Sequence, residues 1–281
     1  MIASAAVVDD VGYLAWRALR TGGRRWAVGP TFDRAVYIKD GHHVVVLTAA
    51  DVPNGPLHVR TECDRLDVRT GEIAIVEPPL IWIGTTCVDM SGSIPWRGAL
   101  PSSDALNRNR GRGASAMKEL SRASALSSGL FGIDTTELEA CRTVTDLAHR
   151  LIGLGPGFTP AGDDVMAGIL MALAGRDALC CAEPAAHLRG QSRSHPYSLA
   201  FVEAASRGQA IAPVHDLLVA LASSDDEGFQ GALSSLERVG ATSGADVALG
   251  LCIGLELDAV LCAPTHPVSK HRRMCVQTTN R

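Results

Sequence analysis

The chain has 281 residues, of which 46% are hydrophobic and 20% charged, the balance of a globular protein with a sizeable core. A formal charge of −4 and an aromatic content of 4% argue against a dedicated nucleic-acid binder, which needs a basic face or stacking platforms. The longest apolar stretch, near Val165–Ala174, is about half of the roughly 20 residues a membrane helix needs, so no membrane partner is expected. Asp9 and Asp10 stand where a secretory signal would carry basic residues. The eight cysteines form no CxxC pair and mostly lie beside apolar neighbours, so the expectation is a cytoplasmic protein with reduced thiols.

In chain order, residues 2–20 are expected to open with a helix, because Val7, Val8, Val11, Leu14, Ala15 and Leu19 recur near helical spacing. From Trp26 to about Ile94 short β-rich runs follow: Arg34–Ile38, Val44–Thr48, Leu57–Arg60, Ile73–Val76 and Leu80–Ile83. Turn signals such as Asp40-Gly41, Asn54-Gly55 and Pro78-Pro79 separate them, which predicts a small antiparallel sheet or barrel-like module. Beyond Trp96 the strands stop. Residues 103–128 read as a polar helical segment, and Thr135 or Thr136 can cap a helix through Glu137–Leu151. Further helices are expected at 160–175, 196–207, 213–222, 228–238 and 244–260, and a loose basic tail at 264–281. The fold class is therefore α+β: a β-rich module over residues 1–100 with its leading helix, then a helical domain over 101–263.

The segment Gly153-Leu-Gly-Pro-Gly-Phe-Thr-Pro-Ala-Gly-Asp-Asp-Val-Met-Ala-Gly168 carries the most information. Thr159 is a natural N-cap, Pro160 suits the first helical position, and Asp163 and Asp164 complement the helix dipole. A tight turn before a buried helix accounts for that much. It leaves the density of Gly153, Gly155, Gly157 and Gly162 unexplained, since each costs backbone entropy. Such density suits close approach of backbone to a ligand, and free N–H groups at a helix start attract anions. Paired carboxylates oppose that attraction unless they face a metal, a cation or an amide-bearing substrate. The string is neither a Walker A loop nor a dinucleotide fingerprint.

A second segment repeats it: Gly162-Asp-Asp-Val-x-x-Gly168 is echoed by Gly244-Ala-Asp-Val-x-x-Gly250. Counted from the preceding threonines Thr159 and Thr242, Asp246 pairs with Asp163; counted from the glycines, it pairs with Asp164. Two helix N-termini converging on one pocket, lined by Thr159, Thr242, Ser243, Gly244 and the aspartates, is the reading preferred over chance repetition. A third piece, His195-Pro196-Tyr197-Ser198, starts another helix and offers the Ser198 hydroxyl to the same site. The remaining histidines show no metal-ligand spacing.

The string from Gly155 to Asp164 resembles the signature of the bacterial family of the AllH subunit of oxamate carbamoyltransferase. Gly240-Ala-Thr-Ser-Gly-Ala-Asp246 resembles its second signature, and Ser198 with Ala204, Ala205 and Gly208 resembles its intervening helix. Pro95, Trp96, Leu100 and Pro101 resemble the junction after the β-rich part. Phe158 stands where a leucine is expected, and Ala241 where a histidine is expected. The resemblance implies carbamoyl transfer between phosphate and oxamate in nitrogen-compound (allantoin) catabolism, inside a complex with protein partner subunits. It places Asp163, Asp164 and Thr159 at the chemistry, and Gly155, Gly157, Gly162, Ser198, Thr242, Ser243, Gly244 and Asp246 around a small anionic substrate. Two alternatives stay open: a non-catalytic subunit that binds a small carboxylate or a partner, and a Mg-assisted hydrolase or phosphotransferase with Asp163, Asp164 and Asp246 as ligands. No other cofactor is implied.

Overall fold

The computed structural model describes residues 5–41, 43–125, 141, 143–176 and 193–257. Strands come first. They are β1 (Ala5–Gly12), β2 (Arg25–Phe32), β3 (Ala35–Asp40), β4 (His43–Thr48), β5 (His58–Thr61), β6 (Ile73–Glu77), β7 (Leu80–Ile83), β8 (Thr86–Asp89) and β9 (Ile94–Trp96). Their order is β5-β4-β3-β2-β6-β7-β8-β1-β9, and β1 also pairs with β5, which closes a barrel. Period-two alternation fills it: Val36 and Ile38 of β3 point inward, as do Trp26 and Val28 of β2 and Ile81 and Ile83 of β7. The expected β-rich module is therefore present, with two corrections. It is not purely antiparallel, because β1 runs parallel to β8 and β9, and β4 parallel to β5.

The leading helix is the second correction. Residues 5–12 are strand β1, and α1 (Tyr13–Thr21) begins only after Gly12. Ala6, Val8 and Val11 are buried in the barrel, while Ala15, Ala18 and Leu19 of α1 cover the same cluster. A Cβ at Gly12 would lie 2.0 Å from the Gly55 carbonyl oxygen, so the strand-to-helix turn needs a residue without one. The Ala15 N–H then donates to the Pro56 carbonyl at 2.9 Å and anchors α1 against the loop before β5.

After β9 the described chain is helical: α2 (Ser103–Asn109), α3 (Ala114–Ala125), α4 (Val144–Leu151), α5 (Ala161–Ala174), α6 (Pro196–Ser206), α7 (Ala212–Ser223), α8 (Asp226–Glu237) and α9 (Ser243–Glu256). Thr143, not Thr135 or Thr136, caps α4 by accepting from the Asp146 N–H. The proposed caps and the start of that expected helix lie outside the described residues, as does the expected tail. The expected 103–128 segment is broken into α2 and α3 around Gly111 and Gly113.

The helical core is built on α5, whose side chains are buried almost throughout. It packs against α9 at backbone distance. A Cβ on Gly168 would lie 2.2 Å from the Val247 oxygen, and one on Gly250 would lie 2.0 Å from the Val165 oxygen. Further along, a Cβ on Gly254 would meet the Ala172 methyl at 2.7 Å. Thr159 meets Ser243 at the helix starts, Gly168 meets Gly250 midway and Ala172 meets Gly254 further on, so α5 and α9 run parallel and bring their N-termini side by side.

Candidate functional site

The glycine-rich turn leads from α4 into α5 with Gly153, Gly155 and Gly157 all at positive φ, namely 77°, 97° and 110°. Left-handed backbone at these positions accounts for much of the glycine density without a ligand. Gly153 is also required sterically, because a Cβ there would lie 2.2 Å from the Arg193 carbonyl oxygen. Gly162 is a packing glycine: its N–H donates to the Leu154 carbonyl at 2.9 Å, and a Cβ would lie 2.0 Å from the Leu151 oxygen. Gly244 is its counterpart, donating to Val239 at 3.0 Å, with a Cβ placed 1.8 Å from the Leu236 oxygen. Each of α5 and α9 thus starts by tucking a glycine against the end of the helix before it. The sequence repeat is a structural repeat.

Thr159 is not the helix cap. Pro160 takes that place without a side-chain hydrogen bond, and the Thr159 hydroxyl instead meets the Ser243 hydroxyl at 3.2 Å, across the two helix starts. Thr242 sits at the N-cap of α9, also without a side-chain cap.

The two adjacent aspartates serve different partners, because one helical step turns a side chain by about 100°. Asp163 is 1% exposed. It accepts the Gly153 N–H at 2.7 Å, the Ser198 hydroxyl at 2.6 Å and the Ser194 hydroxyl. Both oxygens are therefore committed to protein donors, and Asp163 ties the glycine turn to the start of α6. Ser198, 1% exposed, belongs to this knot and not to an open surface.

Asp164 faces α9. It is partly buried beside the Thr159 and Ser243 hydroxyls, with the Asp246 and Asp163 carboxylates near it. Burial, with the charges of Asp246 and then Asp163, lifts its carboxyl to about 8 against the opposing pull of the two hydroxyls. Asp246, 2% exposed, occupies the equivalent first turn of α9. The structure thus decides the register of the repeat: Asp246 pairs with Asp164, as counting from the glycines implies. Three carboxylates do not form one ligand set, since Asp163 is turned away. Among the described residues no cluster of three or more metal-ligating side chains is present.

The barrel supplies a wall that the sequence did not reveal. Tyr37 of β3 stands edge-on to Phe158 at 4.9 Å and to Tyr197 at 5.4 Å, and Phe158 approaches His195 at 5.3 Å. Burial, then the charge of Asp164, raises the Tyr37 phenol to about 12, so it stays a donor beside the carboxylate pair. The signal for Tyr37 was an aromatic at an outward-facing strand position, between inward Val36 and Ile38. Phe158 is the turn's contribution to this wall. His195 caps α6, its Nδ1 accepting the Tyr197 N–H at 3.4 Å. Ala241 is exposed in the turn before α9.

No helix among the described residues is long and apolar enough to cross a membrane. No curated protein and no solved structure matches the chain. Residues 151–255, from the last turn of α4 to the end of α9 and including both helix starts with Asp164 and Asp246, match the family model of oxamate carbamoyltransferase subunit AllH.

Proposed function

We propose that this chain is a carbamoyltransferase subunit of the oxamate and carbamoyl phosphate type, working with partner subunits, and that Asp164 and Asp246 form its substrate site. One observation carries the reading: two parallel helix starts bring Asp164 and the buried Asp246 together beside the Thr159 and Ser243 hydroxyls, and burial pushes the Asp164 carboxyl up to about 8, toward its protonated form. In carbamoyl transfer the acceptor amide nitrogen attacks the carbamoyl carbon and loses a proton, while the bond from that carbon to the phosphate oxygen breaks. A carboxylate and a carboxylic acid side by side meet both needs. Asp246 takes the nitrogen's proton, and Asp164 donates to the departing phosphate or to the carbamoyl oxygen. The Thr159 and Ser243 hydroxyls and the helix N-termini offer further donors to the negative charge that develops. Gly155, Gly157 and Thr242 frame the opening in this reading, while Gly162, Gly244, Ser198 and Asp163 hold its shape.

The test is calorimetric titration of the full chain with carbamoyl phosphate and with oxamate, using the wild type, Asp164→Asn and Asp246→Asn. The expected result is binding of one or both ligands, weakened about tenfold or more in either variant, as for a lost charge-assisted hydrogen bond. Unchanged affinity in both variants, with folding intact, removes this pair from the substrate site. Addition of Mg²⁺ to the same cell separates the metal-assisted alternative, which requires ligand binding to appear only with the ion.

A further inference from the structure

A cleft of about 780 Å³ lies apart from the carboxylate pair, between α1, the β3–β4 hairpin and α6. Its size falls within the roughly 300–1,000 Å³ of small-molecule sites. Three elements distant in sequence each bring a cation to it: Arg17 from α1, Lys39 from β3 and Arg207 from α6. The one carboxylate on its lining, Glu203, is engaged with Arg207 at 2.6 Å. Lys39 is half-buried and has no carboxylate partner among the described residues, and Arg17 reaches only the face of Tyr13, at 5.9 Å. Three cations against one carboxylate that is already engaged leave the lining with an excess of positive charge, so an anion is the ligand it stabilises. The floor is apolar, with Leu199 of α6 and alanines of both helices, and His43 completes the rim. That combination suits an organic anion whose charged end meets Lys39 and Arg17 while its apolar body lies on the floor.

We propose that this cleft binds a small organic anion, a phosphate or carboxylate on an apolar body, at a site separate from Asp164 and Asp246. Neither Asp164 nor Asp246 lines the cleft, and its excess of positive charge comes from side-chain cations, whereas the carboxyl pair relies on hydroxyls and helix starts. The inference does not depend on the carbamoyl-transfer reading.

Calorimetry of the full chain with phenyl phosphate, benzoate and neutral phenol tests it. Phenyl phosphate or benzoate is expected to bind and phenol not, and the stronger of the two assigns phosphate or carboxylate. Lys39→Met keeps the aliphatic stem and removes the charge, and should weaken binding about tenfold while leaving the melting temperature unchanged. Asp164→Asn should bind the same probes with wild-type affinity, which separates this site from the proposed substrate site. Absence of binding by either anion overturns the proposal. So does unchanged affinity in the Lys39→Met, Arg17→Met double variant, or a loss confined to Asp164→Asn.

Discussion

Asp163 and Asp164 are neighbours in the chain with unlike tasks, and the difference is set by which way each leaves the helix. Asp163 accepts from a backbone N–H of the glycine turn and from the hydroxyls of Ser194, just before α6, and Ser198, in its first turn, with 1% of its surface exposed. Removing the carboxylate strands the Gly153 N–H and the Ser198 hydroxyl, and each unsatisfied buried group costs roughly 1–3 kcal/mol. Asp163→Ala should therefore lose about 3 kcal/mol or more of stability in urea unfolding, whereas Asp164→Asn should lose little or gain. Equal destabilisation by the two changes would contradict this division of roles. The sequence marked both residues as candidates and could not separate them, because their partners come from turns and helices tens of residues away. Thr159 shows the same limit. Its place before Pro160 reads as a cap, yet the hydroxyl is claimed by Ser243, 84 positions on.

At the level of elements, the parallel pair α5 and α9 is what brings the site together, and small residues set its closeness. Gly250→Ala would place a methyl 2.0 Å from the Val165 carbonyl oxygen, backbone that does not give way. The helices must then part, at a cost of about 1–3 kcal/mol or more. The separation should also loosen the Thr159–Ser243 contact and weaken ligand binding at the pair. Gly231→Ala in α8 is the control: nothing lies within 4 Å of its would-be Cβ, the position is exposed, and it sits inside a helix. That change should stabilise by about 0.5–1 kcal/mol. Thermal unfolding of the two variants reads both outcomes, and a stable Gly250→Ala would refute the close crossing. Most helices of this half were legible, since capping residues and apolar spacing agree locally. The leading helix was misread because Ala6, Val8 and Val11 fit both strand and helix spacing, and only pairing with β5, β8 and β9 decides for β1. Parallel pairing within the β-rich module was equally hidden, as it depends on which distant runs meet.

Across the whole molecule, the barrel and the helices are joined partly through histidines that must stay neutral. His58 of β5 meets Phe201 of α6 at 5.9 Å, and its Nδ1 lies 3.0 Å from the Pro53 carbonyl oxygen, to which it donates. Burial lowers its pKa to about 4, against the opposing effect of that carbonyl. His215 of α7 bonds the Ala99 carbonyl at 2.9 Å just after β9, and burial lowers it as well. These positions read as scattered in the sequence because what unites them is the junction between two halves. For His58 the unfolded chain takes up a proton near 6.5 and the folded chain only near 4, so its contribution to stability is lost as pH falls between those values. Asp164 acts in the opposite sense. Its folded value near 8 exceeds the ordinary 3.8, so its protonated form favours folding at low pH and that contribution is lost as pH rises toward 8. Between 6.5 and 8 the carboxyl acts without the histidine, so wild-type stability should decline there and Asp164→Asn should flatten the decline. From 6.5 down to about 4 the two groups oppose each other, so there His58→Gln, which keeps a donor for Pro53, should gain stability as pH falls while Asp164→Asn loses it. Urea unfolding at intervals from about pH 4 to pH 8 distinguishes the two arms. Parallel curves for wild type and Asp164→Asn above 6.5 would mean that Asp164 is ionised in the folded protein, and the acid partner proposed for carbamoyl transfer would have to be sought elsewhere.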